Sequence, residues 1–406
     1  MITEIFAYLR KQDAKFVFLT LSMVVLPSLE APKNLFILLF IFSWALIAKR
    51  DKNWGGKWQL IDTIFCLWIV VDIAVGLNAI LYHDLPANGS KDILKFVFFG
   101  WVLSRSGFNS KQIFFLVIST SLFSVIPLIE SYMNSKHHIE LNSVGHVNHT
   151  AIYLLISYVL SLSFLALNYK NLTNFVRIIL TFITFILVFV IIDTNSRAAS
   201  GILVIFLVLV LINLIFNYKK KSVTIGALIF ALFVTSLVIY NPPPVVEKFI
   251  TGTSLIGESP RQKIRNHAYY TFRTSPILGV GFGNYVHFGH DDIKDLVMKE
   301  KGEYVKDSFL PASHPHNVFY TYLVSGGVVM FSIFIIFWLY FSKLIYQVYK
   351  SSTEKWLAFS GLGVTITTLG IGWVNTTLAH EHALISMFVI GLIISEFRKL
   401  ESKKVL

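Results

Sequence analysis

Runs of about 20 apolar residues, separated by short polar turns, recur along almost the whole chain. A run of that length matches the roughly 30 Å hydrocarbon core of a bilayer when it is helical. The runs are continuous rather than alternating, which excludes a membrane β-barrel. Composition agrees: 14% of the 406 residues are charged, against about a quarter in a soluble domain. The expected fold class is an all-α polytopic integral membrane protein with about twelve transmembrane helices. The runs fall at residues 16–29, 34–48, 60–82, 93–103, 113–129, 149–167, 176–192, 198–216, 224–240, 318–341, 356–374 and 383–394. Several are too short as drawn and must extend into their flanks.

Charge sets the orientation. The formal net charge of +12 lies mostly in alternate short loops, among them Arg10/Lys11/Lys15, Lys49/Arg50/Lys52/Lys57, Arg105/Lys111, Lys219–Lys221 and Arg398/Lys399. The intervening short loops hold little more than Lys33, Lys91, Lys136 and Arg197. That asymmetry places both termini in the cytoplasm. No soluble basic domain exists to bind nucleic acid. A lone cysteine, Cys66, excludes an intramolecular disulfide and a cysteine metal cluster. The N-terminal MITEIFAYLRKQDAK has no cleavage site ahead of the first apolar run, so no cleavable signal peptide is expected. One membrane domain over 1–406 is expected, with a large loop at 241–317 that faces the periplasm by parity.

That loop is the one water-facing segment large enough to hold chemistry. It begins at Pro242-Pro243-Pro244, carries Arg261, Lys263, Arg265 and Arg273, and turns through Gly279-Val280-Gly281-Phe282-Gly283. It ends on His314-Pro315-His316-Asn317 before an apolar helix. Arg261, Arg265 and Ala268 are spaced to share a helix face, and two guanidinium forks on one face suit a diphosphate; a solvated face is the bland alternative. Residues 291–307, with mixed charge, read as a solvated lid or flap. Arg197, in the turn Thr194-Asn195-Ser196-Arg197-Ala198, is either an interfacial anchor or a cation among small neighbours that an anion can approach. Lys95 lies about one turn inside the outer boundary and is a functional candidate unless Asp92 pairs with it. Asp62 and Asp72, within an apolar run, either line a polar cavity or balance basic groups.

A histidine is the natural general base near pH 7. A helix N-terminus disfavours a permanently charged imidazolium there and suits a neutral one. His316 is therefore the candidate base, with His314 and Asn317 in support; Asn317 also reads as a plain helix cap. Gly326-Gly327 permit a kink or close packing. No Cys, Asp or Glu stands at zinc-site spacing, so no metal is expected. His380-Glu381-His382 form a small interfacial cluster with a weak link to an acceptor. Asn148-His149-Thr150 matches a glycosylation pattern that is uninformative here.

Three elements together resemble a known family: the Ser196-Arg197-Ala198 turn, Arg261 followed by Pro276-Ile277-Leu278-Gly279-Val280-Gly281-Phe282-Gly283-Asn284, and His314-Pro315-His316-Asn317 running into a glycine-interrupted helix. In order and on one membrane face, they are similar to the O-antigen ligase and Wzy-type O-antigen polymerase family of bacterial envelopes. The resemblance implies a metal-independent, GT-C-like glycosyltransferase without cofactors, multi-pass in a Gram-negative inner membrane, with its site facing the periplasm. Its implied partners are a glycan donor on undecaprenyl diphosphate and a lipid A–core acceptor. By position, His316 matches the catalytic base and Arg197 and Arg261 match the diphosphate-holding residues. Lys95, Arg265 and His314 join them by charge logic alone. Pro315 departs from a variable family position and constrains His314 to an extended backbone. The implied reaction inverts the anomeric configuration.

Two rivals remain. A polymerase of the same family would take a lipid-linked repeat as acceptor; the arginine-to-glycine stretch favours the ligase. A lipid or glycan transporter would concentrate polar groups and broken helices at mid-membrane, whereas here the ionisable groups gather at one face.

Overall fold

The structure is a computed structural model describing residues 9–134, 139–218 and 259–404. The described residues form α-helices and short 3-10 turns and no strand. The helices are α1 (Ala14–Val25), α2 (Glu30–Arg50), α3 (Leu60–His83), α4 (Ser90–Ser104), α5 (Ser110–Asn134), α6 (Val147–Asn168) and α7 (Asn174–Asp193). They continue as α8 (Arg197–Tyr218), α9 (Pro260–Thr274), α10 (His290–Lys301), α11 (Val318–Ser351), α12 (Lys355–Gly372) and α13 (His380–Lys404). The expected run at 224–240 and the triple proline at 242–244 lie outside the described residues.

Seven described helices are long and apolar enough to cross a membrane: α2, α3, α5, α6, α7, α8 and α11. The other apolar runs among the described residues also fall on helices, so the polytopic class holds while the count of about twelve does not follow. For two of the remaining helices the physical reason is length. The 12 residues of α1 and the 15 of α4 reach about 18 and 22 Å at ~1.5 Å per residue, short of the roughly 30 Å core. Helix α6 is the centre of the bundle, buried through most of its length from Thr150 to Leu165; α2, α3, α7 and α8 keep broad apolar faces outward, as lipid-facing helices do.

Polar clamps at the two ends fix the register. At one end Asp62, wholly buried at the start of α3, accepts from Arg105 at 2.7 Å, Arg398 at 2.6 Å and Trp101 at 2.9 Å. This aspartate balances basic groups, joining the ends of α3, α4 and α13. A buried ion network of this kind is costly to break from one side. At the opposite end buried Lys33 of α2 pairs with Glu381 of α13 and with Glu30, and donates to Ser143 at 2.6 Å.

The described part of the large loop is folded onto that second end. Ser259 caps α9 through the backbone of Gln262, with Pro260 at the first helical position. Residues 291–307 carry α10, whose Ile293 and Val297 pack with Tyr270 and Phe309. The glycines then dock the loop into α11, which breaks at Gly327 (φ 62°, ψ −168°). Across that break Val280 and Gly281 donate to the carbonyls of Val324 and Ser325 at 3.0 and 2.8 Å, and Val328 donates to Pro276 at 2.9 Å. A Cβ on Gly279 would lie 2.4 Å from the Ser325 backbone, and one on Gly327 2.2 Å from the Ile277 carbonyl. Both glycines also hold positive φ. Gly327→Ala is therefore expected to destabilise the protein by roughly 3 kcal/mol or more, strain and overpacking combined. A thermal melt in detergent that left the midpoint unchanged would contradict this docking.

Candidate active site

The loop delivers its chemistry to the end of the bundle where α8 begins and α11 begins. Arg197 is the first residue of α8, after Asn195 in the left-handed region (φ 56°) closes the turn from α7. Arg261 and Arg265 stand one helical turn apart on α9. Arg261 is held below the usual arginine range, first by burial of its guanidinium and then by the like charges of Arg197 and Arg265. That mutual repulsion brings three sequence-distant or turn-spaced cations into one field, and among the described residues no acid pairs with Arg261 or Arg265. Arg265 donates to Gln262 at 2.5 Å, which fixes its fork. By contrast Arg273 pairs with Glu300 at 3.3 Å.

His316 belongs to the same field. Its pKa lies below the usual histidine value, first through burial and then through the charge of Arg261; a hydrogen bond to Asn375, which favours the protonated ring, opposes them. His314 is lowered further, to about 4, by burial and then by His316, His380 and His146. The two rings lie 4.0 Å apart between centroids, and Ser313 Oγ sits 2.9 Å from His314 Nδ1. His316 has φ 50°, a conformation that costs a side-chain-bearing residue about 1–3 kcal/mol and concentrates at functional sites. Its neighbour Asn317 caps α11 by accepting from Tyr320 N at 3.0 Å. The same side chain donates to the Trp373 carbonyl at 3.0 Å, which ties the base to the turn carrying Asn375. Asn317 thus acts as the cap and as a strut.

A pKa below the ordinary histidine value favours the neutral ring near neutral pH, the form that general-base chemistry would use. Transfer is expected to stay level through pH 7 and to fall only as His316 gains a proton, at a pH below 6.5. Asn375→Ala, by removing the bond that favours the imidazolium, should move that acid limb lower still. A limb that shifts upward in this variant would refute the assignment.

Lys95 forms an ion pair with Asp92 at 3.2 Å and its charge bears on His380. His267, a further histidine of the loop, is internal: it meets the Tyr285 hydroxyl at 2.9 Å and the Gly289 carbonyl at 3.2 Å. Sequence reasoning missed Asn375, which lies far from His316 in the chain and in no recognisable motif. It also passed over His149, whose Nδ1 lies 2.9 Å from His382 Nε2. The signal was the count: His146, His149, His314, His316, His380 and His382, half of the chain's 12 histidines, meet at this one end. Among the described residues no group of three or more His, Cys, Asp and Glu is arranged to hold a metal ion.

No curated protein matches the chain. Residues 182–335, which include Arg197, Arg261, Arg265, His314, His316 and Asn317, match the family model described as O-antigen ligase. Over these residues, under half of the chain, and on a bundle that includes helices of membrane-crossing length, the protein is similar to the O-antigen ligase family.

Proposed function

We propose that this protein is a glycosyltransferase that moves a glycan from undecaprenyl diphosphate to a sugar hydroxyl of lipid A–core at the periplasmic face of a Gram-negative inner membrane. One observation carries the reading: a strained His316 of lowered pKa shares its electrostatic field with Arg261, which in turn stands beside Arg197 and Arg265. Cations gathered at one point suit a diphosphate, and a base within their reach suits the alcohol that displaces it. As the glycosidic bond breaks, negative charge grows on the leaving diphosphate, and fixed guanidiniums stabilise it most at that moment. His316 takes the acceptor proton as the hydroxyl attacks the anomeric carbon from the face opposite the leaving group, so the configuration inverts. An apolar groove of about 750 Å³ between α5 and α7, lined by Ile126, Met133, Phe182 and Val190, runs toward Asp193 just before the Arg197 turn and offers a polyprenyl chain a lateral approach.

The lipopolysaccharide of a deletion strain tests the reading. Core without any O-chain, together with accumulated lipid-linked polymer, is the expected result. Core bearing a single repeat would make the protein a polymerase instead, and unchanged banding would remove both.

A further inference from the structure

A cavity of about 240 Å³ lies against His314, with no wall from the arginine-bearing α9, and its walls come largely from outside the family-matched residues. Phe96, Phe282 and Tyr322 give it aromatic surfaces, and Asp92, His149 and His380 give it polar ones. Its volume falls below the roughly 300–1,000 Å³ of sites for larger ligands, so it admits one ring-sized group. The loop between α12 and α13 that closes it is strained, with Leu378 at φ 55° and His380 at φ 49°, as ligand-clamping backbone often is. The Tyr322 hydroxyl is buried without a hydrogen-bond partner, an open requirement beside the cavity.

We propose that this cavity is the acceptor subsite and receives one pyranose ring, an inference that rests on the glycosyl-transfer reading above. A pyranose has an apolar C–H face, which suits Phe282 and Tyr322, and a rim of hydroxyls that both donate and accept, which suits a carboxylate and imidazoles. Position selects the acceptor over the donor. Arg261 presents its charge to His316, whose ring lies 4.0 Å between centroids from His314, a wall of the cavity, tilted at 49°. The order is therefore cavity, His314, His316, Arg261. A hydroxyl presented from the cavity meets His314, with the His316 ring 4.0 Å from it between centroids, and approaches the anomeric carbon from the side opposite the leaving group, which is the alignment a displacement needs. The acceptor O–H proton passes to His316, the new C–O bond forms, and the bonding pair of the broken C–O bond leaves with the diphosphate.

The test is steady-state kinetics of the purified full-length protein in proteoliposomes, with the lipid-linked glycan of the deletion strain as donor and its O-chain-free lipopolysaccharide as acceptor. Asp92→Asn and His380→Asn are the variants, the second chosen because asparagine tolerates the left-handed backbone at that position. Each is expected to raise the acceptor KM about tenfold while the donor KM stays within about twofold. A rise in donor KM, or no change in either constant, overturns the subsite. Thermal midpoints check folding, and Thr321→Val at the cavity wall replaces any variant that melts early. Absence of product from the unaltered protein would instead bring down the glycosyl-transfer reading itself, so the two failures are distinguishable.

Discussion

Replacing His316 with asparagine is expected to reduce glycan transfer by about 10²- to 10⁴-fold, the usual contribution of a positioned general base. Asparagine is the informative choice because the backbone there is left-handed (φ 50°), a conformation asparagine accepts far better than alanine. A loss seen with asparagine therefore reports the imidazole rather than the backbone. His316→Ala should lose activity as well, with a lower melting midpoint from the unfavourable φ. The asparagine variant should insert and melt as the parent does, because Asn317 still caps α11 and still holds the Trp373 carbonyl. Transfer within about threefold of the parent would remove His316 from the role of base. Residual activity should also lose its acid limb, since the group that titrates is gone.

The second large effect belongs to Arg261. Arg261→Ala is expected to lower kcat by about 10²- to 10³-fold, the cost of removing one donor that stabilises charge developing in a transition state. Arg261→Lys should recover only part of that loss, because a point charge cannot reproduce a planar fork on phosphate oxygens. The variant has a further signature. Arg261 lowers the pKa of His316, so its removal should move the acid limb of the residual activity upward, toward the ordinary histidine value. The opposite shift is expected of Asn375→Ala, and the two together separate charge from hydrogen bonding as influences on the base. Arg197→Ala should resemble Arg261→Ala in kcat, since Arg197 bears on Arg261.

Much of the architecture was legible because bilayer solvation writes itself into sequence as long apolar runs. The number of crossings was less so: a run such as that in α1 ends after 12 helical residues, and hydropathy does not reveal where a helix stops. The arginines and His316 were readable as charges out of place on one face. Lys95 was readable too, in the opposite sense, since Asp92 three residues earlier is the partner it takes. Asn375 and His149 were not, because their roles come from contacts between helices far apart in the chain. The glycines of the loop carried a signal with its meaning hidden. Only the pairing of residues 276–281 across the break at Gly327 shows that they serve close backbone approach. Asp62 and Asp72 look alike in sequence, yet Asp62 meets two arginines while both carboxyl oxygens of Asp72 are buried without a partner.

The most direct measurement is equilibrium binding of undecaprenyl diphosphate to the purified protein in nanodiscs, compared across the parent, His316→Asn, Arg197→Ala and Arg261→Ala. Guanidiniums that grip the pyrophosphate and an imidazole that serves only the incoming alcohol predict a parent-like Kd for His316→Asn, with no turnover. They predict a Kd at least tenfold weaker for each arginine variant. Undiminished binding by both arginine variants, or loss of binding in His316→Asn, would contradict the account.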